Sequence, residues 1–237
     1  MFQAAAVMGA GKAHNMPWFV PRENKESPRF HEFFPYFAEN RFMRDGHYQE
    51  YHAHDGADFN YKPIPFWPNG IKLIGFFQSH KYFEHCQDLI KEAFKLDHHS
   101  QYEDWVSVHV RRGDYVRYST DFPPITTDYL NKAMEHFKGR RTIVFSDDID
   151  WCRANFKATE YATNDEYTDL SIMSSCGDHI IANSTFSWWG AYLGRNPDKK
   201  IITPDESSWF GRNNGVTRKI GVPKTLIPEE WTRIKFR

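Results

Sequence analysis

The sequence is poor in the features that would place it among secreted, membrane-spanning or metal-clipped proteins. Cysteine occurs three times in 237 residues, at Cys86, Cys152 and Cys176. Positions that far apart give neither a disulfide framework nor the spacing of a zinc site, so a reducing compartment is the default. Net charge is nearly absent, with 30 Lys and Arg facing 31 Asp and Glu. That balance argues against a general binder of nucleic acid or anionic membranes, while leaving room for a local basic pocket. No apolar run approaches the roughly 20 residues that span a bilayer, and no secretory signal pattern opens the chain. HExxH, paired CxxC, repeats and low-complexity tracts are missing as well.

What the chain does have is aromatic surface, 17% of all residues, much of it within 30–83. There it can serve packing or carbohydrate stacking. A helix is expected over 2–11, closed by Gly9 and Gly11, then a short strand at Trp18–Val20. Residues 22–70 read as irregular. Order returns with a strand at 71–77 and a helix over about 81–94. The second half alternates: strands at 105–111, 141–146, 179–183 and 199–204, with helices near 127–138, 149–156, 167–176 and from about Ser184. Such alternation implies an α/β fold with a parallel, doubly wound sheet. The polar stretch at 96–104 marks the lobe boundary, dividing the chain into 1–98 and 99–237.

Several short motifs compete for a chemical reading. GAGK at 9–12 lacks the glycine at position 6 and the Ser or Thr at 13 that a Walker loop needs. SDDID at 146–150 can hold a divalent metal between Asp148 and Asp150, or its first residues can cap a helix that starts there. In HVRRGD at 109–114, strand alternation puts His109 and Arg111 on one face, and Val110 and Arg112 on the other. Guanidinium groups at the carboxyl end of a strand suit bidentate recognition of a diphosphate; equally, they can pair with acids such as Asp114. An adhesive reading of the RGD would require an exposed loop on a secreted protein. NSTFSWWG at 183–190 offers a second anion cradle, because Ser184 and Thr185 open a helix whose first N–H groups are free. Trp188 and Trp189 read as core packing ahead of sugar platforms.

Together these segments resemble glycosyltransferase family 11, the α-1,2-fucosyltransferases. HVRRGDY (109–115) is similar to its first motif, FSDDIDWC (145–152) to its second and DLSIMSSCGDHIIANSTFSWWGAYL (169–193) to its third. LIGFFQSHKYFEH (73–85) and residues 1–20 resemble further family segments in the same order. The resemblance implies a GT-B-like fold of two Rossmann-like lobes, an acceptor-side lobe at 1–98 and a GDP-fucose-binding lobe at 99–237. It implies inverting transfer of fucose from GDP-fucose to the 2-hydroxyl of a galactose-containing glycan, without a metal or other cofactor. By the same resemblance Arg111 is the catalytic residue and a diphosphate ligand, and His109 contacts the nucleotide. Asp169 reads the guanine edge, as in the related α-1,6-fucosyltransferases, while Ser184 and Thr185 hold the β-phosphate and Asn183 is a further donor-binding residue. Asp147 and Asp148 match the second motif as donor contacts or structural residues. A carboxylate base is drawn from Asp45, Asp55 and Asp114. The implied partners are the donor and the glycan, with no nucleic acid and no transmembrane segment, peripheral membrane association left open, and a cytoplasmic location. Family members carry a strand and a GNQ turn ahead of the MFQ at which this chain begins, so the N-terminal lobe is expected to lack its first strand. The alternative implied is a truncated, non-catalytic relic that still binds GDP-sugar.

Overall fold

The computed structural model describes residues 1–21, 29–37, 48–53 and 60–236. The described residues divide into two compact units, Met1–Lys95 with Pro223–Pro228, and Leu96–Val222 with Glu229–Arg237.

The first unit opens with a helix, Phe2–His14, three residues longer than expected, closed by Asn15 in the left-handed region at φ 52°. Gly9 and Gly11 do not end it. A Cβ on Gly9 would stand 1.9 Å from the Tyr82 carbonyl oxygen. The glycine therefore lets the helix backbone approach the turn at 80–83, which is close packing rather than termination. The strand expected at Trp18–Val20 reduces to an isolated bridge at Val20. Strands β1 (Gln49–His52) and β2 (Ile71–Ile74) pair in parallel, with Gln49 opposite Ile71 and His52 opposite Ile74. Nothing in QEYH alternates, so β1 was invisible within the stretch read as irregular. The helix expected over 81–94 is broken into two 3-10 turns, His80–Tyr82 and Glu84–Cys86, before the helix Gln87–Ala93. Much of the aromatic content packs here: Phe30, Phe34, Phe37 and Phe94 meet with ring centroids 5.1–6.3 Å apart. Contacts of this kind add to area burial and compensate for a short sheet. A cavity of about 1030 Å³ lies beside β2, walled by Trp18, Tyr48, Phe66 and Trp67 among others.

The second unit is a six-stranded parallel sheet. Its strands are β3 (Val106–Val110), β4 (Thr142–Ser146), β5 (Glu160–Tyr161), β6 (Asp178–Ile180), β7 (Ile201–Pro204) and β8 (Thr232–Ile234), in the order β5-β4-β3-β6-β7-β8. The chain runs outward from β3 to β5, then crosses back to place β6 on the other side of β3. That reversal is the topological switch point at which open α/β sheets hold ligands, beyond the carboxyl ends of the strands. Helices cover both faces. Val106, Val108 and Val110 pack with Tyr129 and Leu130 on one face, while Ile143 and Phe145 pack with Met173 on the other. Every residue of β3 is buried, Ser107 and His109 included, because a central parallel strand has no solvent face. On the second face Gly190 lets the helix Thr185–Tyr192 sit against Met173 of the helix Glu166–Ser175; a Cβ there would meet the Met173 sulfur at 2.2 Å. Trp188 and Trp189 are both buried, as the packing reading required. Each large side chain so buried contributes roughly 1.5–3 kcal/mol. The α/β character with parallel sheets expected from the alternation is thus found; β5 and β8 were missed because two- and three-residue strands are too short to show a period.

Candidate functional site

The carboxyl ends of β3, β4 and β6 bring the sequence motifs onto one edge of the sheet. β3 ends at Val110, so the strand alternation stops one residue before the arginines. As a result Arg111 and Arg112 do not divide between faces: both reach the turn after β4. The Arg111 guanidinium contacts Asp147 Oδ2 at 2.9 Å and Asp114 Oδ1 at 2.7 Å. Arg112 donates its backbone N–H to Asp147 Oδ1 at 2.8 Å and its Nε–H to Asp148 Oδ2 at 3.2 Å, with its guanidinium carbon 3.9 Å from the centre of the Trp151 ring. Arg112 is largely enclosed, at 16% exposure, whereas Arg111 keeps 36%. Arg112 thus fastens the turn; Arg111 is the guanidinium left accessible to a ligand.

Gly113 explains how Asp147 gets so close. A Cβ at that position would stand 2.5 Å from Asp147 Oδ2. The glycine starts the short helix Gly113–Arg117, and Asp114 serves as a counter-ion to Arg111. The RGD tripeptide is therefore the start of a short helix rather than an open loop, and both of its charged side chains are engaged in ion pairs, which speaks against the adhesive reading. Asp148 is the N-cap of the helix Ile149–Asn155, its carboxylate accepting from Trp151 N–H at 3.2 Å. The capping reading of SDDID holds for Asp148, and Asp147 has the separate job of bracing the arginines.

At the end of β6 the chain passes through Asn183 and Ser184 into the helix Thr185–Tyr192. Ser184 is the N-cap but makes no side-chain cap bond, so the first-turn N–H groups stay open and carry the positive end of the helix dipole. Asn183 is buried. Its Nδ2 donates to the carbonyls of Pro123 and Trp209 at 3.0 and 3.1 Å, while its Oδ1 has no protein partner. His109 is buried on the same face of the sheet, its ring 5.5 Å from that of Phe186 in the first helical turn. Burial, and then the charge of Arg111, push its pKa down to about 3. The imidazole is neutral, and its Nδ1 is buried without a hydrogen bond. Buried polar atoms without partners are uncommon and are often completed by a ligand.

Asp169 lies in the first turn of the helix Glu166–Ser175, which leads from the end of β5 back to the start of β6 and so begins at this same edge. Burial raises its pKa to about 6, against the hydrogen bond it accepts from Asn164 Nδ2 at 3.1 Å. The site residues named from the sequence that fall in the second unit thus gather at the carboxyl edge. Among the base candidates, Asp114 is committed to Arg111, and Asp45 and Asp55 lie outside the described residues. Sequence reasoning missed Tyr115. Its hydroxyl donates to the Asn183 carbonyl at 3.1 Å, and its ring lies 5.5 Å from the Arg111 guanidinium carbon. The only hint was its place at the end of the arginine motif.

Residues 34–216 match the model of the family described as glycosyl transferase family 11. The chain is 34% identical over 175 residues to the O-antigen biosynthesis glycosyltransferase WbnK of Escherichia coli, covering 62% of this chain and 57% of that protein. It is 32% identical over 192 residues to an α-1,2-colitosyltransferase of Escherichia coli, covering 70% of this chain and 63% of that protein. To the galactoside 2-α-L-fucosyltransferase Sec1 of Mus musculus it is 30% identical over 223 residues, covering 76% of this chain and 60% of that protein. The chain spans about three-fifths of the length of these relatives.

Proposed function

This chain belongs to glycosyl transferase family 11, and from that premise we propose that it transfers fucose from GDP-fucose to the 2-hydroxyl of a galactose-containing glycan, inverting the anomeric centre. The names of its relatives, which speak of α-1,2-colitosyl and 2-α-L-fucosyl transfer, support that class of donor and linkage. The observation that carries the reading is the anion site at the switch point. An accessible arginine stands at one strand end, and an uncapped helix start with two hydroxyl residues stands at the next.

In this reading Arg111 and the helix beginning at Thr185 take the diphosphate. Ser184 and Thr185 add hydroxyl donors to the β-phosphate, and Asn183 shapes the turn that presents them. His109, neutral and with an unfilled Nδ1, accepts a hydrogen bond from the nucleotide. Asp169 takes the guanine edge when ionised, and Asp147 holds Arg111 in line. As the glycosidic bond breaks, positive charge spreads over the sugar ring and negative charge collects on the departing diphosphate. Donors already oriented toward that charge need no reorganisation at the moment of reaction, which is why they lower the barrier. The acceptor hydroxyl attacks from the opposite face of the sugar. A GT-B-like arrangement, metal independence and a cytoplasmic location, with the first unit on the acceptor side, complete the proposal. Among the described residues no helix is long and apolar enough to cross a membrane.

Calorimetry with GDP-fucose, followed by mass spectrometry of galactosides incubated with it, tests the reading. Binding with transfer is expected, and transfer should survive EDTA. Absence of GDP-fucose binding would sink the donor assignment. Binding without transfer would favour the non-catalytic relic instead.

A further inference from the structure

The two halves of the anion site stand on strand ends that no backbone ladder joins. β3 and β6 are paired from Val106–Asp178 to Val108–Ile180, and there the pairing stops. Beyond it, His109 and Val110 pair only with β4, and Ile181 donates its N–H to Ile202 of β7. The neighbours thus part at the point where the site begins, as expected at a switch point. Arg111 and Asn183 each lie three residues past the last paired position. Something other than the sheet must set the distance between the guanidinium and the helix start.

We propose that Tyr115 is the positioning residue that sets this distance, its hydroxyl bonded to the Asn183 carbonyl and its ring packed against Arg111. The inference rests on the diphosphate reading of the site and adds to it a determinant of phosphate spacing. Among the described residues, the 3.1 Å bond from Tyr115 to Asn183 is the hydrogen bond that crosses between 111–118 and 181–187. It ends on the carbonyl directly preceding Ser184, so any shift of Tyr115 is passed to the helix N-cap. The ring is itself held. It stacks on Phe122 at 5.1 Å, and Phe122 meets Phe210 at 6.0 Å. The loop carrying Phe122 is tied to the one after β7 by Gly211 N–H donating to the Asp121 carbonyl at 2.7 Å. There is no room to adjust: a Cβ on Gly211 would fall 1.6 Å from the Thr120 carbonyl oxygen. Asn183 is fixed to the same two loops by its bonds to Pro123 and Trp209. The hydroxyl therefore joins two groups that rest on one common support, and it closes the link between the arginine turn and the helix start. Its proton is not for exchange, since burial lifts the phenol pKa to about 12.

A brace of this kind acts on ligands that occupy both halves at once. GDP spans the arginine and the helix start with two phosphates, whereas GMP can occupy only one half. Tyr115→Phe keeps the ring, its stack on Phe122 and its contact with Arg111, and removes only the hydroxyl. Loss of one such bond is expected to weaken GDP by roughly three- to ten-fold and GMP by less than about two-fold. Calorimetric titration of both nucleotides into the wild type and the variant reads the ratio directly. That ratio reports folded molecules only, so a general loss of stability does not imitate the effect. Equal weakening of GDP and GMP, or no change in either, would overturn the role of Tyr115 while leaving the donor site standing. A wild type that binds GDP no better than GMP would overturn the diphosphate reading itself, and the brace with it.

Discussion

The two edges of the six-stranded sheet use the same residue types to different ends. At the amino edge, Arg141 makes a two-pronged contact with Asp104 at 2.7 and 2.8 Å, and the hydrogen bond from Arg141 holds the Asp104 carboxyl below its usual range. Arg140 binds Asp178, whose other oxygen accepts from Lys200 N–H. Buried His179 shares a hydrogen bond with Ser107 at 2.8 Å, and its Nε2 faces Gly194 at a point where even a Cβ would be 2.7 Å away. Those charged groups are paired with one another, although Arg140 and Arg141 keep 40% and 54% of their side-chain surface exposed. At the carboxyl edge arginines and aspartates pair as well, but beside them stand an uncapped helix start and two buried atoms without hydrogen-bond partners, Asn183 Oδ1 and His109 Nδ1. His109 and His179 narrow the contrast: burial drives both pKa values to about 3, and each has one buried ring nitrogen without a hydrogen bond, Nδ1 in His109 and Nε2 in His179, while the other nitrogen of His179 is bonded to Ser107. Ion pairing and depressed pKa values therefore do not mark a site by themselves. What sets the carboxyl edge apart is that its unfilled groups lie beside an uncapped helix start at the strand reversal.

The contrast can be broken most directly at Arg111. Arg111→Ala should lower turnover by about 10²–10³-fold, the effect of removing one donor aimed at developing charge, and should abolish measurable GDP binding in calorimetry. Next in size is a pH effect on the same edge. Because burial raises Asp169 to about pKa 6, its ionised form is populated only above that pH, so guanine recognition should strengthen as pH rises through about 6. GDP affinity near pH 5 should be roughly ten-fold weaker than near pH 7, from the fraction ionised. Asp169→Asn should bind weakly with a flat profile across that range, and a variant keeping the wild-type slope would detach the titration from Asp169. Gly113→Ala should push Asp147 aside and cost GDP several-fold in affinity, with about 1 kcal/mol of stability read by denaturant titration. The smallest effect belongs to the amino edge: Arg141→Ala breaks an exposed pair and should leave GDP affinity within about two-fold of wild type. A large loss there would erase the distinction between the edges.

Much of the second unit was legible because long buried strands announce themselves. Val106, Val108 and Val110, and the runs at 142–146 and 201–204, carry enough apolar and β-branched residues to be read as strands. The motifs around Arg111, Asp148 and Ser184 were equally plain, since a cap or a strand end is written in local residues. The first unit was harder to read. QEYH forms β1 through its pairing with Ile71–Ile74, and its own composition argues for a loop. Gly9 and Gly11 looked like helix ends because the reason for them, the Tyr82 carbonyl and Trp18, comes from elsewhere in the chain.

By itself, then, the sequence determined the parallel α/β alternation, the motifs that end up at the carboxyl edge and the helix cap at Asp148, all of which depend on neighbours within a few residues. Only the tertiary structure decided which arginine is accessible, why Asp147 needs a glycine opposite it, and that Tyr115 spans β3 and β6. The physical reason is that those facts depend on the order of strands in the sheet. Asn183 lies 68 residues from Tyr115 in the chain and one hydrogen bond away in the fold, and no local pattern encodes that distance.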